Sequence, residues 1–166
     1  MARRDTTRVE GELTQAYRDL RRFAAVVADA DFDPDDICQE AMTRVLLAAR
    51  RGRGPADDVI AYARRSIVSV CSNQRRGLAR RTAAFRRVGM PEDIELPIYP
   101  SEFDVLDDLA PRERAVLYLQ HVEGRTSTEI GALLGLSSTS VRATASRARR
   151  RLRVETSEEV AAEKEA

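Results

Sequence analysis

The sequence predicts an all-α protein built as two small helical units in succession, and three observations carry that prediction. Apolar residues recur at three- and four-residue spacing along most of the chain. Aromatic residues make up only 5% and tryptophan is absent, while Ala, Leu, Val and Arg dominate, a mixture that favours helices over sheet. Glycine and proline are gathered where that periodicity stops. At 166 residues and 43% hydrophobic, the chain has the material for one domain or two small ones.

The first helix is expected over Glu12 to Ala28. Leu13, Ala16, Tyr17, Leu20, Phe23, Ala24 and Val27 form one apolar stripe there. The second opens with Asp33 as N-cap, Pro34 at the first helical position and Asp36 three residues after the cap. Its core face combines Ile37, Ala41, Val45 and Ala49 with Cys38, Met42 and Leu46, leaving Asp35, Gln39, Glu40 and Arg44 outside. Arg51-Gly52-Arg53-Gly54-Pro55 ends it and starts a third helix running to about Gly77. Ile60, Ala63, Ile67, Val70 and Cys71 face the core of this helix; Arg64, Arg65, Ser69, Ser72, Arg75 and Arg76 fall outside. These helices define a first domain over residues 10–80.

Residues 81–106 lose the period, and Pro91, Pro97 and Pro100 remove backbone donors there, so this segment is expected to be a linker. The second unit spans residues 107–154, ahead of an acidic tail at 155–166. Pro111 opens a helix with Val116, Leu119 and Val122 on one face, ended by Gly124. Thr126 and Glu129 make a capping box for a short helix with Ile130, Leu133 and Leu134 inward. After Gly135-Leu136-Ser137, a last helix places Val141, Ala145, Ala148 and Leu152 on one stripe. That arrangement is a helix-turn-helix.

The net charge of +1 hides strong segregation of charge along the chain. From Arg44 to Arg87 there are twelve arginines against Asp57 and Asp58; from Val88 to Glu113, eight acids face Arg112 alone. From Arg142 to Arg153 there are six arginines and no acid, followed by the acidic tail. Two basic blocks separated by an acidic one read as two polyanion-binding surfaces on a tether that repels polyanions. In the last helix, Ser138, Thr139, Ser140, Ala143 and Ser146 are small enough for close approach to a major groove. Arg142 is placed for a bidentate contact to guanine, and Arg147 and Arg150 for phosphate or groove contacts. A solvated basic face is the alternative.

Other chemistries find no support. Cys38 and Cys71 lie in apolar helical patterns and read as core residues, and His121 is the single histidine. The sequence offers no His-based triad, zinc site or phosphate-cradling loop, so no catalytic residue, metal or cofactor is expected. With no apolar run of membrane-spanning length and no signal core, a cytoplasmic protein without membrane contact is expected.

The motifs resemble a known family. Leu109-Ala110-Pro111-Arg112-Glu113-Arg114-Ala115-Val116-Leu117, Glu129-Ile130-Gly131, Leu133-Leu134-Gly135-Leu136-Ser137 and Ser146-Arg147-Ala148-Arg149 look like region 4 of bacterial RNA polymerase sigma factors. Asp35-Asp36-Ile37-Cys38-Gln39-Glu40-Ala41 resembles the region 2 helix that docks on polymerase. Ala61-Tyr62 through Ile67 and Ser72 to Arg75-Arg76 resembles the promoter-reading helix of extracytoplasmic function (group 4) sigma factors of actinobacterial type.

The resemblance implies a two-domain promoter-recognition subunit lacking regions 1.1 and 3. It would bind core RNA polymerase at the β′ clamp helices and β flap, and read and melt -10 and -35 promoter elements. Asp35, Asp36, Gln39 and Glu40 would meet the clamp helices; Asp35 and Asp36 equally complement a helix dipole. Arg51 and Arg53 lie in a loop resembling one that takes a flipped -10 base, which also reads as an ordinary turn. Arg64, Arg65, Ser69, Ser72, Arg75 and Arg76 would face the -10 element. Ser138, Thr139, Ser140, Arg142, Ala143, Ser146, Arg147 and Arg150 would face the -35 element. Ser69 stands where the family often has Asn, and Thr144 where it has Arg, so base preferences would differ from relatives. The linker resembles one threading the RNA exit path, or is a plain tether. An anti-sigma antagonist is common in the family. A helix-turn-helix regulator acting without polymerase is the alternative function.

Overall fold

The computed structural model describes residues 2–54, 58–88 and 106–165. Six helices account for them: α1 (Ala2–Val27), α2 (Pro34–Arg50), α3 (Val59–Val88), α4 (Pro111–His121), α5 (Ser127–Leu134) and α6 (Ser138–Glu165). No strand occurs among the described residues. Pro55, the linker from residue 89 to 105 and the side chains of the acidic tail lie outside what is described.

The caps form as the sequence demands. The Asp33 side chain accepts from the Asp35 N–H at 2.8 Å, with Pro34 in the first turn. Thr126 and Glu129 complete a reciprocal box: Thr126 N–H and hydroxyl each donate to Glu129 Oε2 at 2.8 Å, and Glu129 N–H donates to Thr126 Oγ1 at 3.3 Å. Those bonds to Thr126 hold the Glu129 carboxyl below its ordinary value.

Helices α1, α2 and α3 pack on one another, burying Leu13, Leu20, Phe23 and Val27 against Ile37, Ala41, Val45, Ile67 and Val70. Cys38 and Cys71 are buried in this core, where desolvation pushes the thiols up to about 11 and about 12 respectively. Helix α1 begins well before Glu12, and Val9, one turn ahead of Leu13, extends the same buried stripe. Helix α3 passes through Gly77 and continues to Val88, into the segment expected to be linker. The reason is local: a single glycine costs about 1 kcal/mol against alanine, and the alanines and arginines around it are strong helix formers. Most of that extension is exposed, so it carries no apolar period. The backbone of α6 likewise continues through the expected tail to Glu165.

In the second unit, α4 and α5 both pack on α6, with Val116, Leu119, Ile130, Val141, Ala145 and Ala148 buried between them. Val122 departs from the expected inward face. It lies just past the last residue of α4, as its C-cap, and is 59% exposed.

The two units are in contact rather than separated, and their buried residues form one continuous cluster. Helix α1 touches α4, and α3 touches both α4 and α5. Phe23 and Tyr118 meet edge to face across this boundary, with ring centroids 5.8 Å apart. Arg114, 1% exposed, is the polar counterpart of that contact. Its guanidinium donates to the Ala28 carbonyl, to Asp29 Oδ1 at 2.7 Å, to the Asp107 carbonyl at 2.7 Å and to the Leu109 carbonyl at 3.2 Å. Asp29 also lies 3.5 Å from Arg75 Nη1. Burial nevertheless raises the Asp29 carboxyl above its ordinary value, outweighing the downward pull of Arg114 and Arg75.

Removing a buried cation strands the carboxylate and carbonyls around it, which costs about 3–5 kcal/mol. Arg114→Met should therefore lower the urea unfolding midpoint far more than the exposed Arg112→Met in the neighbouring position.

Candidate nucleic-acid interface

The helix-turn-helix is set by two close approaches. Gly135 ends α5 in the left-handed region at φ 68°, where a side chain is strained. Leu136 N–H then donates to the Gly131 carbonyl at 2.8 Å. A Cβ on Gly131 would lie 2.6 Å from the Leu136 carbonyl oxygen, so glycine is what lets the turn fold back on α5. Ser137 Oγ accepts from the Ser140 N–H at 3.1 Å and starts α6.

With Val141, Ala145 and Ala148 inward, the first half of α6 presents Thr139, Ser140, Arg142, Ala143, Ser146, Arg147 and Arg150 to solvent; Ser138 is half-buried at the turn. Thr144 is 4% exposed, so the position that departs from the family pattern faces inward. Arg142 Nη2 lies 3.3 Å from Thr139 Oγ1, and Arg147 Nη2 lies 3.4 Å from Thr144 Oγ1. These bonds within one helix hold both guanidiniums along its surface.

Helix α3 meets the expectation only in part. Ser69 and Arg76 are exposed, and Ser72 is half-buried with its hydroxyl donating to the Val68 carbonyl at 2.7 Å. Arg64, expected outside the core face, is instead 7% exposed and forms a two-point ion pair with Glu123, at 2.7 and 3.0 Å. Its guanidinium carbon also sits 5.4 Å from the Phe23 ring centroid. Arg65 donates to the Leu133 carbonyl at 3.1 Å, and Arg75 to the Leu109 carbonyl at 2.7 Å. The physical reason is that the second unit covers this face of α3. Ser69, Ser72 and Arg76 share a cleft of about 740 Å³ with Ser140, Ala143 and Arg147.

Arg51 and Arg53 are exposed on the turn after α2, with Gly52 at φ 67° between them. On α2, Asp36, Gln39 and Glu40 are exposed, Glu40 pairing with Arg44 at 2.5 Å. Asp35 is set apart from these three. It accepts from Tyr17 Oη at 2.8 Å and from Arg21 at 2.7 and 3.1 Å, and those bonds hold its carboxyl below the ordinary value. The same bond raises the Tyr17 phenol. No cluster of metal-ligating side chains, and no helix long and apolar enough to cross a membrane, occurs among the described residues.

Residues 13–81 match sigma-70 region 2, and residues 104–152 match sigma-70, region 4. The chain belongs to the sigma-70 family. Region 2 falls on α1 to α3 and region 4 on α4 to α6, and this sigma factor is a promoter-recognition subunit of RNA polymerase rather than an enzyme. Among solved structures, the chain is similar in fold to the sigma factor RpoE in complex with the anti-sigma factor NepR from Bartonella quintana. The TM-score is 0.56 at 17% identity, covering 86% of this chain and 92% of that one. A comparison with curated protein sequences gives no match.

Sequence reasoning missed Glu123, Asp29 and Arg114, the residues that join the two regions of this sigma factor. For Arg64 a signal was present: it lies four residues after Ile60 and three before Ile67, inside the apolar stripe. Forcing a methyl against the Leu136 carbonyl should make Gly131→Ala cost about 1–3 kcal/mol. Thermal melting should rank it with or above Gly135→Ala, whose left-handed backbone costs about 1–2 kcal/mol.

Proposed function

We propose that this sigma factor is of the extracytoplasmic function (group 4), actinobacterial type, with α6 reading the -35 element and α3 the -10 element. One observation carries the -35 assignment. The exposed face of α6 from Thr139 to Arg150 combines small side chains with arginines, and no acid occurs between Ser138 and Arg153. That face fits a major groove in width, hydrogen-bonding capacity and charge. Arg142 in the second turn reaches base edges, while Arg147 and Arg150 meet phosphates.

Arg64, Arg65, Ser69, Ser72, Arg75 and Arg76 would serve the -10 strand, with Arg51 and Arg53 at its edge. Arginine suits this work because its planar guanidinium both stacks on bases and bonds phosphate. Asp36, Gln39 and Glu40 would dock on the β′ clamp helices of core polymerase, and the region 4 unit on the β flap. Asp35, already held by Tyr17 and Arg21, would position that surface rather than carry it. The RpoE structure contains an anti-sigma factor. A protein antagonist of this chain belongs to the same reading.

Run-off transcription with core polymerase on a promoter library tests the assignment. Arg142→Ala should cost about 1–3 kcal/mol at the -35 element and relax one base position. Arg150→Ala should weaken all sequences alike and reduce the salt slope by about one. An unchanged -35 preference in Arg142→Ala would overturn its placement against a base. Reversing Asp36 and Glu40 to arginine should abolish capture of core polymerase with helicity intact, since like charges across such an interface cost several kcal/mol.

A further inference from the structure

We propose that the cleft between α3 on one side and α4 and α6 on the other binds a nucleoside triphosphate, whichever promoter elements those helices read. Its volume of about 740 Å³ lies within the range of about 300–1,000 Å³ typical of small-molecule pockets.

The lining divides by chemistry. Val68, Pro111, Leu134 and Leu136 make an apolar floor, in which Val68 and Pro111 are buried and the two leucines half-buried. Ser69 and Ser72 of α3 and Ser140 of α6 place hydroxyls along the sides. Arg65, Arg76, Arg112, Arg147 and Arg151 also line the cleft, all but Arg65 exposed, and Glu113 is the one carboxylate among the lining residues.

That carboxylate is already engaged. Glu113 Oε2 accepts from Arg151 at 3.0 Å and from the Ala110 N–H at 3.0 Å. The other four arginines have no carboxylate partner among the described residues. Arg65 donates to the Leu133 carbonyl at 3.1 Å, Arg76 to Asn73 Oδ1 at 2.6 Å, and Arg147 lies 3.4 Å from Thr144 Oγ1, all neutral acceptors. Elsewhere at the same boundary arginines are answered by acids: Arg64 by Glu123, and Arg75 and Arg114 by Asp29. The cavity of about 710 Å³ beside Arg114 is balanced in the same way, with Arg75, Arg86 and Arg114 against Asp29, Asp31 and Asp107.

Cations gathered in a cleft without counter-charges focus a positive field into it. A chain of three phosphates supplies the missing charge on one small ligand, and arginine forks bind phosphate oxygens at two points. The serine hydroxyls add neutral donors. Phosphates alone would leave the floor in contact with water. A base and ribose cover it, so the apolar floor favours a nucleotide over a bare polyphosphate.

The test is calorimetric titration of the full chain at about 0.15 M salt, where diffuse attraction is screened. ATP, GTP, CTP and UTP are added in turn without magnesium, and inorganic tripolyphosphate separately. At least one nucleotide should saturate a single site and bind about tenfold more tightly than tripolyphosphate, because it alone buries the floor. Arg76→Gln combined with Arg112→Gln should weaken that nucleotide about a hundredfold, through two lost charge-assisted bonds. Arg18→Gln combined with Arg149→Gln removes the same charge from exposed positions outside the cleft, and should leave affinity within about twofold.

Absence of saturable binding by all four nucleotides would overturn the site. Tripolyphosphate binding as tightly as every nucleotide would overturn the nucleotide as its ligand, and that comparison needs no variant. Equal weakening by the two double variants would reduce the binding to general attraction of polyanions and would equally remove the site.

Discussion

The guanidinium of Arg114 is the group on which the arrangement of the whole chain depends. It projects from α4 into the corner between α1 and α2, where it donates to the Ala28 carbonyl and the Asp29 carboxylate, and it also gathers the Asp107 and Leu109 carbonyls. A cation so deep is tolerable only when its donors are satisfied, and the fork geometry of arginine lets one side chain serve several acceptors at once. The result is directional. Hydrophobic contact between Phe23 and Tyr118 brings α1 and α4 together, but it would allow many relative orientations; the bonds to Arg114 select one.

Around this anchor the chain uses a single residue type for two opposed purposes. Arginines on α3 face acceptors of the protein's own second unit, namely Glu123 and the ends of α4 and α5. The same planar donors suit phosphates and base edges. On the proposed reading of α3, intramolecular partners and nucleic acid would compete for one set of groups, and the balance between them is a matter of which acceptors lie close enough. Charge segregation along the sequence makes that competition possible. Arginines are gathered on α3 and α6, and the carboxylates that answer them come from elsewhere in the chain.

The face proposed to dock on polymerase stands outside this competition. Its acids lie on α2, and Asp35 and Glu40 pair within the region 2 bundle, with Tyr17, Arg21 and Arg44. The faces proposed for docking and for promoter reading are therefore separated in space on a small bundle. A partner arriving at α2 meets exposed side chains and need only exchange the Glu40–Arg44 pair within one helix, whereas one arriving at α3 must displace the bonds of Arg64, Arg65 and Arg75 to the second unit.

The caps, turns and buried stripes were legible because they depend on neighbours a few residues apart. Asp33 and Pro34, the Thr126–Glu129 box, the Gly135 turn and the two faces of α6 follow from local hydrogen bonding and helical periodicity. Where α3 ends was less legible, because its last turns are exposed and exposed helix has no period to read. The union of the two regions was not legible at all. Periodicity says that a face is buried and not what buries it, so Arg64 and Arg114 look like any charged residue until their partners are placed. Those partners, Glu123 and Asp29, lie 59 and 85 residues away in the chain. By itself the sequence determined the helices, the helix-turn-helix and the family. Only the tertiary structure decided which arginines face solvent and which are held inside, because that depends on acceptors brought near by packing of the two regions.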